Sequence, residues 1–308
     1  MQPALADLFR SLVADGCARR LIELARDEDL GRAGDVTTRS LIGPDHRAEA
    51  VVRARQAGVA AGLAAVDLVI DVFGADARFR AEARDGEAFA PGAALGRIDG
   101  ALADLLALER TLLNLLGRLC GVAARTRAYV DAVAGTGAVV CDTRKTTPGL
   151  RALEKYAVRC GGGTLHRRGL HDAALYKDNH LAHVPPARWA DAIEGAARAA
   201  RASGDLAFVE VEVDALAQLD VVLAVPAGVV DIVLLDNMTE SDLRAAVARR
   251  DASGRAILLE ASGGITLETA ASIARTGVDR LAIGDVTHGA RWVDVGMDVG
   301  MDVEEGRE

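Results

Sequence analysis

Between Val139 and His180 the chain sets eight basic side chains (Arg144, Lys145, Arg151, Lys155, Arg159, Arg167, Arg168 and Lys177) against four acids. Like charges at this density repel one another unless something anionic lies among them, so the window reads as a pocket for a multiply charged small anion. A solvated basic face is the plainer alternative. Within the window, Arg144, Lys145, His166, Arg167 and Lys177 can supply charge-assisted hydrogen bonds to carboxylates, each arginine gripping with two donors. Further on, Glu212 and Asp236 stand where apolar runs end and offer hard oxygen ligands for Mg²⁺, or stabilisation for a developing cation. ASGGIT (261–266) and AIGD (282–285) each follow an apolar run with small residues, a composition suited to a phosphate site.

Elements that alternate between strand and helix must position these groups. From Val139 onward, apolar runs ending in polar residues (VVCDTRK, AALYKDN, FVEVEVD, DIVLLDN, AILLEASGG, LAIGD) alternate with helical stretches such as ESDLRAAVARR and TLETAASIARTG. That rhythm calls for a parallel sheet, and six or seven such units should curl into a barrel with its active groups at the C-terminal ends of the strands. A doubly wound open sheet accepts the same pattern. Lys145, Lys177, Glu212, Asp236, Ser262 and Gly284 all fall at strand ends and are expected at one mouth. In FVEVEVD the period of two puts Glu210, Glu212 and Asp214 on one face, a costly row if it points inward without cations, a metal or a ligand to compensate.

The first hundred residues have a different texture. Helical spacing at the start gives way to the acidic DEDLGRAGDVTT (27–38), read as a loop, and then to alternating strands at 47–54 and 77–83 around a short helix. Residues 101–133 form a long leucine-rich helical pattern, with interruptions expected near Gly117 and Gly121 and with Glu109, Arg110 and Arg118 as surface ion-pairing groups. WVDVGMDVGMDV at the end is expected to pair back as a strand on this small unit, followed by a disordered acidic end.

A formal net charge of -9 argues against nucleic acid or an anionic membrane as partner. The start lacks the pattern of a signal peptide and no run approaches the length of a membrane span, so a soluble, cytoplasmic protein is expected. Four scattered cysteines indicate neither a zinc site nor a disulfide framework. The histidines His166, His171, His180 and His183 lack the partner spacing of a metal site, and Ser262 lacks the setting of a nucleophile elbow.

Taken together and in order, EDLGRAGDVTT, ERTLLNLLGRLCGVA, DTRKTTPGLRALEKYAVRCGGG, HRRGLHDAALYKDNH, VEVEVD, LLDNM, EASGGI and IGDVTH closely resemble the carboxylating nicotinate-nucleotide pyrophosphorylases, or quinolinate phosphoribosyltransferases. The resemblance covers nearly the whole chain. It implies a small N-terminal α/β sandwich domain (1–113, completed by 291–308) beside an incomplete, open α/β barrel (114–290). It also implies a homodimer in which the neighbouring subunit lends Arg110 to the site. Arg144, His166, Arg167 and Lys177 would bind quinolinate. Lys145, Glu212 and Asp236 would carry the catalysis, facing 5-phosphoribosyl 1-pyrophosphate and its Mg²⁺, while Ser262, Gly263, Gly264 and Gly284 would hold the 5-phosphate.

The chain departs from the family pattern at Leu165, Arg168, Asp285 and Gly289, where Asn, an apolar residue, a small residue and Ser are usual, and it lengthens the interval from Glu212 to Asp236. Two other readings stay open on the sequence: a superfamily relative of the molybdenum-transport-associated type acting on another substrate, and a non-catalytic module that binds small anions. The second gains nothing from acids such as Glu212 and Asp236 at the mouth.

Overall fold

The computed structural model describes residues 4–300, which fall into two compact units. One draws on the spans Met1–Arg127, Thr146–Gly162 and Thr287–Glu308, the other on Ala128–Lys145 and Gly163–Val286. The boundary expected at 113/114 falls inside a continuous helix, Leu102–Ala132. Residues 146–162, which the strand–helix rhythm placed with the barrel, belong to the first unit.

The first unit is built on a four-stranded antiparallel sheet in the order Val295–Gly300, Arg47–Ala54, Ala94–Ala101, Ala77–Ala81. Alternation decides which side is dry: Ala48, Ala50, Val52 and Ala54 are all buried. Val295–Gly300 does return to pair antiparallel with Arg47–Ala54. Residues 301–308, which carry the end expected to be disordered and the rest of the span proposed to complete the small domain, lie outside the described residues.

Two sequence expectations change here. The acidic stretch read as one loop is partly helix: Cys17–Leu30 ends within it, and Asp35 then caps the helix Val36–Leu41 by accepting the Thr38 N–H. Gly117 and Gly121 do not interrupt the leucine-rich helix either. A Cβ at Gly117 would stand 2.8 Å from the Val293 carbonyl oxygen, and one at Gly121 2.0 Å from that of Arg291, so both glycines admit a strand of backbone against the helix face.

Arg118, expected on the surface, is buried. Its Nε and Nη2 donate to Glu154 Oε1 at 2.9 and 2.6 Å, while Nη1 and Nη2 also reach the carbonyls of Ala290 and Thr287. Glu154 in turn accepts from the Thr147 amide and hydroxyl. Every donor of the guanidinium that this pairing uses meets an oxygen, which is what lets a charge sit inside.

The second unit holds six parallel strands in the order Val139–Cys141, Arg280–Ala282, Leu258–Ser262, Ile232–Asp236, Val209–Val213, Ala174–Tyr176. From the second strand to the last, strands consecutive in sequence are neighbours, and the last returns to pair with the first. That cyclic order belongs to a barrel; a doubly wound sheet reverses direction partway. The ring is open between its first and second strands, where a single bridge from Cys141 to Thr164 stands in for a ladder. The intervening helix, Arg151–Cys160, is the one that joins the other unit.

Candidate active site

Strand register sorts the barrel's polar side chains into levels. Glu212 is paired with Leu234, Leu234 with Glu260, and Glu260 with Arg280; one step nearer the C-terminal ends, Asp236 is paired with Ser262 and Ser262 with Ala282. Partners across a parallel ladder point to the same side, and residues two apart share a face. Glu210, Glu212, Asp236, Glu260, Ser262 and Arg280 therefore line one face of the sheet. The carboxylate row in VEVEVD grades along this direction from Glu210, wholly buried, through half-buried Glu212 to exposed Asp214.

The expected cations meet this face. Lys177, just past the strand Ala174–Tyr176, forms an ion pair with Glu212. Arg167 is buried. Burial lowers its pKa and the nearby charge of Arg144 lowers it further, while Glu210, Asp172 and Glu212 oppose the shift. Arg167 thus lies within electrostatic reach of Arg144 and of Glu212, and Glu212 is also the partner of Lys177. Lys145 is exposed at the end of the strand Val139–Cys141, its amide donating to the Thr143 hydroxyl. Arg110 is exposed on the long helix Leu102–Ala132.

At the next strand ends, Ser262, Gly263 and Gly264 form a turn that only glycine fits well. Gly263 has φ +97°, and a Cβ there would lie 2.2 Å from the side-chain oxygen of Asn237. Asn237 itself has φ 52° and donates its amide to the Ser262 carbonyl, while its side-chain amide donates to Asp236. The turn leads into the helix Leu267–Ala274, capped reciprocally by Thr266 and Thr269. Gly284 follows the last strand. Its neighbour Asp285, an unusual acid beside a phosphate-type loop, has a carboxylate oxygen engaged by the Tyr129 hydroxyl at 2.7 Å.

Below this mouth His166 and Glu210, both named from the sequence, meet Glu260 and Arg280, which the sequence reading did not single out. His166 Nε2 lies 2.8 Å from Glu210 Oε2 and 3.3 Å from Glu260 Oε1, and Arg280 Nε donates to Glu260 Oε2 at 2.6 Å. The contacts to His166 are close, but neither oxygen lies in line with the ring N–H as a hydrogen bond requires. Burial works against charge on the ring; Glu210 and then Glu260 outweigh it, so the His166 pKa is raised. Burial also raises the Glu210 pKa, with His166 as the main opposing influence. For Glu260, His166 and Arg280 overcome burial and the pKa falls. Alternation in LLEAS, which puts Glu260 on the face of Ser262, was the available signal.

His166, Glu210 and Glu260 are also the group of potential ligands close enough to hold an ion among the described residues; His171, His180 and His183 do not join it. Its donors are closed in and already face Arg280. Glu212 and Asp236, on one face of neighbouring strands and both partly accessible, are a hard carboxylate pair of the kind that holds Mg²⁺ together with a phosphate ligand. Those residues fit a hard dication.

Sequence and fold comparisons agree on what this arrangement resembles. Residues 35–120 match the family model for the N-terminal domain of quinolinate phosphoribosyl transferase, and residues 122–298 match the model for its C-terminal domain. The nicotinate-nucleotide pyrophosphorylase [carboxylating] of Mycobacterium leprae is 45% identical over 284 residues, covering 92% of this chain and 97% of that protein. The probable nicotinate-nucleotide pyrophosphorylase [carboxylating] of Bacillus subtilis is 37% identical over 281 residues, with 91% and 93% covered. Among solved structures, the nicotinate-nucleotide pyrophosphorylase from Francisella tularensis superposes with a TM-score of 0.81 at 32% identity, covering 92% of this chain and 96% of that one.

Proposed function

The chain belongs to the quinolinate phosphoribosyltransferase family, the carboxylating nicotinate-nucleotide pyrophosphorylases, and we propose that it transfers the phosphoribosyl group of 5-phosphoribosyl 1-pyrophosphate to quinolinate with loss of CO₂, giving nicotinate mononucleotide and pyrophosphate. This is the pentosyltransferase reaction of NAD biosynthesis for which its relatives are named. The observation within the molecule that supports the reading is that Arg167 lies within reach of both Arg144 and Glu212 while Lys177 pairs with Glu212 in the same barrel. An anion-binding module needs the cations alone. A reaction that develops positive charge on a sugar needs the acid too.

In this reading the two carboxylates of quinolinate rest on Arg144, Arg167 and Lys177, with Arg110 supplied by the second subunit of a homodimer. The 5-phosphate takes the turn at Ser262, Gly263 and Gly264, with Gly284 beside it. As the bond from the ribose to pyrophosphate breaks, the sugar acquires oxocarbenium character, and the carboxylates of Glu212 and Asp236 stabilise it. Lys145 neutralises the departing pyrophosphate. Mg²⁺, held through Glu212 and Asp236 directly or by way of water, would supply further charge neutralisation on the leaving group when bound. Once the ring nitrogen is quaternised, the electron pair released with CO₂ is taken up by the pyridinium, so no other electron sink is needed. The surrounding cations keep the ring in place while the vacated carbon is protonated. The reaction is one expected of a cytoplasmic enzyme.

Purified protein incubated with quinolinate, 5-phosphoribosyl 1-pyrophosphate and Mg²⁺ should release CO₂ and nicotinate mononucleotide in equal amounts. No product above a heat-inactivated control would overturn the assignment.

A further inference from the structure

Towards the end of the helix Leu102–Ala132, Val122, Thr126, Tyr129 and, just past the helix, Val133 are buried at the spacing that puts side chains on one helical face. Thr126 spends its hydroxyl on the Val122 carbonyl. Tyr129 is wholly buried, so its phenolic O–H needs a partner inside the protein. It donates to Asp285 Oδ2 at 2.7 Å. Both residues belong to the second unit.

Asp285 stands where a second anion is least welcome. Ala282, the last residue of its strand, is paired with Ser262, and the N–H of Ile283 is held by the Cys141 carbonyl. Leu281, Ala282, Ile283 and Val286 are buried, which leaves Gly284 and Asp285 as the part-exposed step of this segment. Gly284 is assigned to the 5-phosphate, and consecutive Cα atoms are only about 3.8 Å apart. A carboxylate swung towards the mouth from the next residue would therefore repel the phosphate across a short distance. Turned onto Tyr129, the same carboxylate has its charge met by a hydroxyl dipole and lies on the side of the helix.

We propose that Tyr129 is a positioning residue for the phosphate loop: its hydroxyl restrains the Asp285 carboxylate, so that an acid next to Gly284 does not oppose the sugar phosphate. Neither side chain touches the substrate in this arrangement. The competing role for Asp285 is a direct one, in which the carboxylate reaches out to accept from a ribose hydroxyl or to hold a cation. The hydrogen bond to Tyr129 draws Oδ2 towards a ring with no exposed surface, which is the wrong direction for that role. The proposal rests on the phosphoribosyl-transfer reading above for the identity of the phosphate.

Three variants test it, read by steady-state kinetics and by calorimetric binding of ribose 5-phosphate, which needs no turnover. Tyr129→Phe keeps the buried ring and removes the donor. It should raise the KM for 5-phosphoribosyl 1-pyrophosphate and the Kd for ribose 5-phosphate by roughly tenfold, the lower end for a hydrogen bond to a charged group, with the KM for quinolinate unchanged. Asp285→Ala should leave all three at or below their wild-type values. In the double variant the tenfold loss should vanish, because no carboxylate is left to restrain. An undiminished loss in the double variant would overturn the proposal by making Tyr129 a support of the loop's shape alone, and an unchanged Tyr129→Phe would overturn it too. So would a several-fold rise in Asp285→Ala, which would show the carboxylate serving the ligand directly; this variant decides the matter if Tyr129→Phe fails to fold. Wild-type protein that binds ribose 5-phosphate yet forms no nicotinate mononucleotide would count against the functional reading alone, and the binding comparison would still stand. Wild-type protein that binds no ribose 5-phosphate would overturn the proposal.

Discussion

Lys177 and Glu212 form an ion pair across neighbouring parallel strands, so a cation assigned to the dicarboxylate and an acid assigned to the activated sugar share one contact. Substrate binding on either side must work with this pair. The first prediction follows from it. Lys177→Ala should raise the KM for quinolinate by about tenfold, the lower end for a charge-assisted hydrogen bond because the lysine side chain is partly exposed, and should change that for 5-phosphoribosyl 1-pyrophosphate far less. Steady-state kinetics with each substrate varied in turn distinguishes this from an equal loss of both, which would contradict the division of the pocket.

Gly263 and Gly264 provide a matched pair. Both have positive φ, but a Cβ at Gly263 would collide with Asn237, whereas one at Gly264 meets nothing within 4 Å. Gly263→Ala should cost on the order of 2 kcal/mol or more of stability and weaken 5-phosphoribosyl 1-pyrophosphate binding; Gly264→Ala should cost about 1 kcal/mol from backbone strain alone. Denaturant titration alongside kinetics reads both, and equal effects would remove the collision from the explanation.

The Arg118–Glu154 pair predicts a cost of the other kind. Arg118→Met leaves a wholly buried carboxylate facing Thr147 with its main counter-charge gone, which should destabilise by about 3 kcal/mol or more. Adding Glu154→Met should recover part of that loss, because the orphaned charge goes with it. Chemical denaturation of the single and double variants would show additive losses if the two side chains acted independently.

Cysteine reactivity should separate one thiol from three. Burial pushes the Cys120 thiol up to about 12 and raises those of Cys141 and Cys160 as well, while Cys17 is partly exposed. Near pH 8 a disulfide reagent should modify one thiol quickly in the native protein and all four only after unfolding. The sign of the linkage follows. A thiol whose folded pKa is raised binds its proton more tightly in the native state, so its contribution to stability is whole below the ordinary value of 9.0 and declines as pH rises from there toward about 12. An alkaline rise in stability would contradict it.

The proposed exchange of Arg110 between subunits can be tested without a structure of the dimer. Arg110→Ala and Lys145→Ala should each be nearly inactive, yet mixing them under conditions that allow subunit exchange should restore about a quarter of the wild-type activity, because half the dimers are mixed and one of their two sites is intact. Absence of any recovery after demonstrated exchange would place Arg110 outside the site.

The placement of much of the candidate site was legible before any coordinates. Charge density picked out Arg144, Arg167 and Lys177, strand-end position picked out Glu212, Asp236 and Ser262, and period-two alternation put Glu210 and Glu212 on a common face. These are local properties, carried by composition and by the geometry of a single strand. Local pattern also implied that the tail returns to the first sheet, as Val295–Gly300 does.

Tertiary structure decided which charges are compensated and by whom. Arg118 reads as an ordinary helix-surface arginine, and only the arrival of Glu154 and of the carbonyls of Thr287 and Ala290 makes it an interior one. His166 beside Arg167 reads as a second cation at the mouth, and only Glu210 and Glu260 from two other strands make it part of a buried charged layer that favours its protonated form. The reason is physical. Side-chain type and spacing establish what a group can donate or accept, but the protonation state and role of a buried group depend on the sum of desolvation and contacts from residues tens of positions away, and that sum exists only once the chain is folded.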